Sequence, residues 1–230
     1  MKFEVLPDAD AVAASAAAFI AAEAWDVLAS RDKFVLAVSG GRTPWVMLRE
    51  LARLDVPWDK FHIVQVDERI APAGDPDRNL THLRESLMDL APIPAANLHA
   101  MPVEAADPEQ AAADYAKTLR DLCGTPIVID LIHLGLGPDG HTASLVPGDS
   151  VLDVTDRDVA LTGGLYQKRR RMTLTYPALN RARKLLWVVT GADKPGPLAQ
   201  LKVADHAIPA GRVAQDRAVV MADRVAAAKL

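Results

Sequence analysis

Cysteine is almost absent from this 230-residue chain, which contains Cys123 and no other. One thiol forms no disulfide within the chain, so the composition favours a reducing compartment, and we expect a cytoplasmic protein. Cys123 lies between Leu122 and Gly124, where the pattern indicates the end of a helix. We therefore interpret Cys123 as a small structural residue rather than as a nucleophile.

An excess of positive charge is absent as well. The chain has 26 Lys and Arg against 30 Asp and Glu, a net charge of −4 at pH 7, so it has no overall attraction for nucleic acid or acidic membranes. Residues 11–24 are mostly alanine, include Glu23 and follow no basic segment, so we predict neither a signal peptide nor a membrane span. The expected partner is a small molecule, with no nucleic acid and no membrane.

Metal-ligand spacing, long linkers and repeats are also missing. No two histidines are spaced as in His-x-x-x-His, so we predict no metal site. Without a linker or a repeat, the chain is expected to form one domain over residues 1–230. We expect a monomer, with a weak homodimer as the alternative.

Short apolar runs rich in β-branched residues recur along the chain, at residues 2–6, 34–38, 61–66, 127–134, 185–189 and 218–221. Their nearly continuous apolar character predicts strands buried on both faces, as in a parallel sheet. Helical patterns lie between them, at residues 9–30, from 43 onward, and at 79–90, 108–122 and 193–202. The alternation predicts an α/β fold with a doubly wound, mostly parallel sheet and helices on both faces. Residues 156–175 have shorter strand-like pieces around Gly163 and Gly164, which predict a small antiparallel excursion.

The segment after the run 34–38 has the composition of an anion-binding turn. It reads Ser39-Gly40-Gly41-Arg42-Thr43-Pro44. Glycines let the backbone approach an anion, and the following helix offers free N–H groups at the positive end of its dipole. The Gly-Lys-Ser/Thr ending of a Walker A loop is absent. A plain strand-to-helix turn explains the segment nearly as well.

Charged residues also follow the next run, as Asp67-Glu68-Arg69. Ligands of open α/β sheets bind beyond the carboxyl ends of the strands, which is where this triplet is expected. Arg69 can clamp a phosphate, while Asp67 and Glu68 can hold a sugar hydroxyl or orient Arg69. A solvated turn is the equal alternative.

The run 127–134 is followed by Gly135-Leu136-Gly137-Pro138-Asp139-Gly140-His141. Although residues 135–140 match G-x-G-x-x-G, Pro138 interrupts the helix that a dinucleotide site requires, and Pro147 stops any helix that begins near His141. The loop instead delivers Asp139 and His141 to a strand end, and histidine is suited to proton transfer near neutral pH. Catalysis is favoured over a structural histidine.

Two further basic features are compatible with an anionic ligand, although a surface lysine and a solvated loop are the alternatives. Lys194 is expected in the first turn of a helix, where a cation opposes the helix dipole unless an anion compensates. The run Lys168–Arg171 has no interleaved aromatic residues, so on an acidic chain it indicates a solvated loop or the border of an anionic substrate rather than a nucleic-acid site.

Together these segments resemble the 6-phosphogluconolactonase family, within a wider group that includes glucosamine-6-phosphate deaminases. The matching pieces lie between residues 39 and 194, and they are Ser39–Gly41 with Thr43-Pro44, Asp67–Arg69 with Asn79, 135–145 with Pro147-Gly148, 171–175 with Leu179-Asn180, and Thr190-Gly191 with Lys194. Each piece is short, but their order at strand ends is specific. Arg42 and Arg78 depart from the family pattern, where small hydroxyl residues are common.

The resemblance implies hydrolysis of 6-phospho-D-glucono-1,5-lactone to 6-phosphogluconate, without a cofactor. In this reading His141 is the general base on water, Asp139 orients it, and Arg69 or backbone N–H groups stabilise the oxyanion. The implied substrate-binding residues are Ser39, Gly40, Gly41, Thr43, Asp67, Arg69, Arg171 and Lys194.

Two alternatives remain, a deaminase or isomerase on the same fold and a non-catalytic sugar-phosphate sensor. The related deaminases carry a glutamate five residues after the loop histidine, where this chain has Val146. A sensor has no need of an Asp-Gly-His group. The sequence therefore favours the hydrolase.

Overall fold

The computed structural model describes residues 1–230, which form ten strands and six α-helices. The strands are β1 Lys2–Leu6, β2 Phe34–Val38, β3 Phe61–Gln65, β4 Asp67–Arg69, β5 Leu98–His99, β6 Leu131–Leu134, β7 Val159–Leu161, β8 Arg171–Leu174, β9 Lys184–Val189 and β10 Ala218–Asp223. The helices are α1 Ala9–Leu28, α2 Arg42–Leu51, α3 Asn79–Leu83, α4 Pro108–Cys123, α5 Tyr176–Asn180 and α6 Pro195–Lys202.

Seven strands form a parallel sheet, in the order β1-β10-β9-β6-β2-β3-β5. The side chains of β2 show why its run is apolar throughout. Phe34 and Leu36 belong to the hydrophobic cluster on one face, and Val35 and Ala37 to the cluster on the other. Since successive side chains of a strand point to opposite faces, a strand with a core on each side needs no polar position.

The helices cover both faces of this sheet. Buried side chains of α1, α2 and α3 belong to one cluster, and those of α4, α5 and α6 to the other. The prediction of a doubly wound, mostly parallel sheet is confirmed. By length and composition α1 could cross a membrane, but here Val12, Ala16 and Ile20 are completely buried against the sheet and α2.

The antiparallel excursion is also confirmed, with different boundaries. Strands β4, β8 and β7 form a small antiparallel sheet in that order. The charged triplet Asp67–Arg69, expected beyond a strand end as a solvated turn or as part of a site, is itself one of its strands. The residues around Gly163 and Gly164 are not strands, because both backbone N–H groups donate to the Asp149 carboxylate, at 2.9 Å each, and so take no part in a ladder.

Two other predicted boundaries were wrong. The run 127–134 becomes a strand only from Leu131 onward, since Val35 N donates to Asp130 Oδ2 at 2.9 Å where a longer strand would offer a carbonyl. Helix α6 begins at Pro195 rather than Asp193, because proline suits the first helical position. Lys194 is thus the residue just before the helix.

The chain order places a crevice between β2 and β6. From β2 the chain continues to β3 on one side, whereas from β6 it continues to β9 on the other. Loops that leave neighbouring strands in opposite directions open a gap at the carboxyl edge of the sheet. The segments that follow β2 and β6 are Ser39–Pro44 and Gly135–His141.

Candidate active site

A cleft of about 540 Å³ lies at this edge, among the segments that follow β2, β3, β6 and β9. Its volume suits a sugar phosphate or a comparable small molecule. The structure brings nine of the ten predicted site residues to its wall, namely Ser39, Gly40, Gly41, Thr43, Asp67, Arg69, His141, Arg171 and Lys194. The tenth, Asp139, contacts His141.

The glycine segment after β2 is shaped by close packing. A Cβ atom on Gly40 would overlap Oδ1 of Asn79, so any larger residue here would displace the Asn79 side chain. Gly41 has φ of 136° and precedes α2, whose first N–H groups receive no side-chain cap. Thr43 Oγ1 lies 2.6 Å from Thr190 Oγ1, which joins this segment to the one after β9. The open N–H groups of a helix start favour an anion.

A buried histidine lies behind this segment. Ser39 N donates to Nδ1 of His133 at 3.3 Å, and Ser39 Oγ donates to the His133 carbonyl at 3.0 Å. Burial lowers the pKa of His133 to about 3, so the ring is neutral and can accept the Ser39 N–H. The Ser39 hydroxyl, which we predicted to bind the substrate, therefore already donates its proton to the backbone of β6.

The loop after β6 holds Asp139 and His141 as a hydrogen-bonded pair. Asp139 Oδ1 lies 2.5 Å from Nδ1 of His141 and 3.2 Å from its backbone N. Burial raises the pKa of Asp139, but the hydrogen bonds from His141 and Tyr166 outweigh it and hold the pKa below its usual range. A Cβ atom on Gly137 would overlap the His141 ring. The ionised carboxylate fixes a proton on Nδ1 and leaves Nε2 as the basic atom.

Two arginines of the small sheet are direct cross-strand partners. Arg69 on β4 faces Arg171 on β8 in the register of this antiparallel pair. Burial lowers the pKa of the Arg171 guanidinium, an effect that Asp67 opposes and Arg69 reinforces. Like charges in directly opposed positions are unfavourable, so an anion between them would relieve the repulsion.

The acidic neighbours of these arginines are already engaged. Asp67 Oδ2 accepts from Ser144 Oγ at 2.6 Å and lies 3.9 Å from Nη1 of Arg171. Arg69 Nη1 donates to Asn79 Oδ1 at 2.5 Å and to the Asp77 carbonyl at 2.9 Å. Asn79 and the Asp77 carbonyl, rather than a carboxylate of the triplet, therefore orient Arg69.

Glu68 lies outside the cleft and has a structural role. It is completely buried and accepts from the backbone N of Asn79 and of Leu80, each at 2.8 Å, so it caps the start of α3. Its charge is balanced by Nε of Arg78, 3.2 Å away. This ion pair explains why an arginine occupies position 78, and it removes Glu68 from the candidates for holding a sugar hydroxyl.

The basic run divides among different partners. Arg171 lines the cleft, whereas Arg169 pairs with Asp75 and Asp77 and Arg170 with Glu109. The run therefore borders the site with one residue only. Lys194 also lines the cleft, its Nζ 2.6 Å from Oδ2 of Asp193.

Sequence reasoning missed several side chains at the cleft. Tyr166 contacts Asp139 and His141, Gln167 contacts Arg171, and Trp45 lines the wall. None of them belongs to a motif. The only signal for Tyr166 and Gln167 was their position before the basic run.

The cleft is positively charged although the chain is acidic. Arg42, Arg69, Arg171 and Lys194 line it against two carboxylates, of Asp67 and Asp193. A net positive cleft with a carboxylate–histidine pair at one wall can bind an anion and transfer a proton.

The family model of glucosamine-6-phosphate isomerases/6-phosphogluconolactonases matches residues 7–221. The chain belongs to this family. A 6-phosphogluconolactonase of Synechocystis is 42% identical over 178 residues, which cover 76% of this chain and 73% of the relative. One of Mycobacterium tuberculosis is 32% identical, covering 99% of this chain and 97% of the relative.

Solved structures agree with this membership. The crystal structure of 6-phosphogluconolactonase from Thermotoga maritima has a TM-score of 0.86 and 29% identity, covering 96% of this chain and 98% of that one. The likeness confirms the family that the ordered motifs suggested. The roles of the individual site residues stay predictions.

Proposed function

We propose that this chain hydrolyses 6-phospho-D-glucono-1,5-lactone to 6-phosphogluconate, with His141 as general base. The Asp139–His141 pair on the wall of a cationic cleft is the observation that carries this assignment. Family membership supports the same reaction, because the relatives of Synechocystis and Mycobacterium tuberculosis are 6-phosphogluconolactonases. The proposed partner is the sugar-phosphate lactone alone, and the proposed location is cytoplasmic.

The phosphate of the substrate is assigned to the cationic side of the cleft. Gly40, Gly41 and Thr43 offer backbone and hydroxyl donors, and Arg171 and Lys194 supply charge. Binding the phosphate there holds the lactone ring in a fixed orientation, which lowers the entropic cost of reaching the transition state.

The reaction needs one activated water. Nε2 of His141 accepts a proton from the water as its oxygen bonds to the lactone carbonyl, and the carbonyl electrons move onto oxygen. The C–O bond to the ring oxygen then breaks, and the proton passes from Nε2 to that oxygen. Asp139 keeps the proton on Nδ1 and stabilises the imidazolium. Arg69 is assigned to the developing oxyanion or to the phosphate.

A coupled assay tests the assignment. Glucose-6-phosphate dehydrogenase generates the lactone, and 6-phosphogluconate dehydrogenase reports the acid as it forms. We expect the protein to accelerate acid formation far above spontaneous hydrolysis, and His141→Asn to abolish most of that gain. Acid formation at the spontaneous rate would overturn the proposal.

The deaminase alternative is tested with glucosamine 6-phosphate. Val146 cannot accept or transfer a proton, so the loop has no second carboxylate to assist ring opening. We expect no enzyme-dependent ammonia. Ammonia release at about 1 s⁻¹ or faster, near the lower end of ordinary enzymes, would overturn the lactonase assignment.

A further inference from the structure

The tip of the β7–β8 connection carries Tyr166, which contacts Asp139 and His141, and Gln167, which lines the cleft. The proposed reaction uses neither side chain. Tyr166 and Arg169 pair through two backbone hydrogen bonds, of 3.0 and 3.2 Å, which enclose a two-residue turn. The turn residues Gln167 and Lys168 both have positive φ, of 51° and 67°. Glycine and asparagine are the usual residues in this geometry, and strain of this kind concentrates at functional sites.

This turn is fixed on both flanks. The backbone N–H groups of Gly163 and Gly164 donate to Asp149 on one side. On the other side Arg169 Nη2 donates to Asp75 Oδ2 at 2.9 Å. The side chains that the turn carries are therefore held in place relative to the cleft.

Tyr166 contacts both functional halves of the cleft. Its hydroxyl donates to Asp139 Oδ2 at 3.1 Å, while Oδ1 of the same carboxylate binds His141. The Arg171 guanidinium carbon lies 5.0 Å from the centre of the Tyr166 ring, a cation–π distance. Gln167 Oε1 accepts from Arg171 Nη2 at 2.9 Å. One turn thus touches the acid–base pair and the anion-binding arginine together.

We infer that Tyr166 is a positioning residue, which orients the Asp139–His141 pair through its hydroxyl and places it relative to Arg171 through its ring. The inference rests on the proposed lactone hydrolysis. A carboxylate with a separate donor on each oxygen is held against rotation, so the imidazole keeps Nδ1 toward Asp139 and Nε2 toward the cleft. The ring contact ties this orientation to the residue assigned to the phosphate.

A role limited to the turn makes a different prediction. Tyr166→Phe keeps the ring, the backbone pairing and the Arg171 contact, and removes only the hydroxyl. If Tyr166 supported the turn alone, this variant would behave as wild type. If the hydroxyl positions the carboxylate, kcat falls while substrate affinity is kept.

Kinetics of Tyr166→Phe and Tyr166→Ala separate these possibilities. For Tyr166→Phe we expect kcat to fall about tenfold with KM within about twofold, because a misplaced catalytic group costs turnover rather than shared binding. Tyr166→Ala also loses the ring over Arg171, so its KM rises as well. Tyr176→Phe is the matched control, since its hydroxyl donates to the Pro209 carbonyl at 2.9 Å instead. An unchanged kcat in Tyr166→Phe overturns the inference.

Nitrogen-15 spectra of the histidine rings give a readout that needs no turnover. In the wild type we expect His141 with its proton on Nδ1, and in Tyr166→Phe a smaller share of this tautomer, because Asp139 loses the donor on Oδ2 that orients its carboxylate. Identical His141 spectra in the two proteins overturn the inference. Failure of the wild type to clear the lactone overturns the proposed function instead, and the two failures are thereby distinguished.

Discussion

The buried ring of His133 predicts that acid destabilises this fold through one identifiable residue. Burial lowers the pKa of His133 from 6.5 to about 3, and its Nε2 has no hydrogen-bond partner. Below pH 6.5 the unfolded chain therefore binds a proton that the folded chain excludes. The contribution of His133 to the free energy of unfolding is fully present above pH 6.5 and is lost as the pH falls toward 3.

The size of the effect follows from the shift. A pH of 4.5 is about two units below the pKa of 6.5 that His133 has in the unfolded chain, so the unfolded chain is protonated there. In the folded chain, with a pKa of about 3, the ring is still neutral. At about 1.36 kcal/mol per unit, the folded state loses about 2.7 kcal/mol relative to neutral pH. His62 and His99, whose pKa values are also lowered by burial, add to the total loss in any variant that keeps them.

Urea unfolding of wild type and His133→Leu at pH 7.5 and pH 4.5 isolates this contribution. In His133→Leu the Ser39 N–H has lost its acceptor at both pH values. Because the free energies of unfolding at the two pH values are compared within each protein, the cost of this lost hydrogen bond cancels. We expect its loss on acidification to be smaller than that of the wild type by about 2.7 kcal/mol. His206→Leu, at an exposed position, is the control. Equal losses in wild type and His133→Leu would refute the burial argument.

Three further predictions concern the cleft. His141→Asn should lower kcat by about 10²–10⁴-fold, as for other general bases, and a loss below about threefold in steady-state kinetics would remove His141 from this role. Lys194→Ala should raise KM with kcat nearly unchanged, because phosphate contacts stabilise ground and transition states alike; unchanged calorimetric affinity for 6-phosphogluconate would contradict it. Gly40→Ala should weaken the same affinity, since its Cβ overlaps Asn79, whereas Gly196→Ala, outside the cleft lining, has open space and should not. Equal affinities of these two variants would show that the close packing is irrelevant.

The parallel sheet could be predicted because its physical cause is local. Runs such as 34–38 are apolar at every position, and only a strand with a core on each face requires that. The Asp139–His141 pair could be predicted for the same reason, since two residues in one glycine turn are close in any fold.

The remaining contacts depend on register between distant segments. Tyr166 contacts Asp139 only because Asp149 and Arg169 fix the β7–β8 turn. Neither the hydrophobic periodicity nor a motif of the sequence indicates these long-range contacts. The sequence leaves the role of Glu68 open, because a buried helix-capping carboxylate and a substrate-binding one look alike beside Arg69. Burial decides between them, and burial depends on the fold.

The pairing of Arg69 with Arg171 separates what is constant in this cleft from what can be varied. Their spacing is set by the backbone ladder of β4 and β8, so it does not depend on the length of the turn between β7 and β8. Residues could be inserted or exchanged at positions 165–168 without breaking the β4–β8 ladder that holds the backbones of the two arginines, but the contacts of Tyr166 and Gln167 with the Arg171 side chain would then change. In protein engineering terms, the ladder is a fixed frame for the anion and the turn is a segment that can be varied separately. Libraries confined to that turn would alter the surroundings of the acid–base pair while retaining the backbone positions of both arginines.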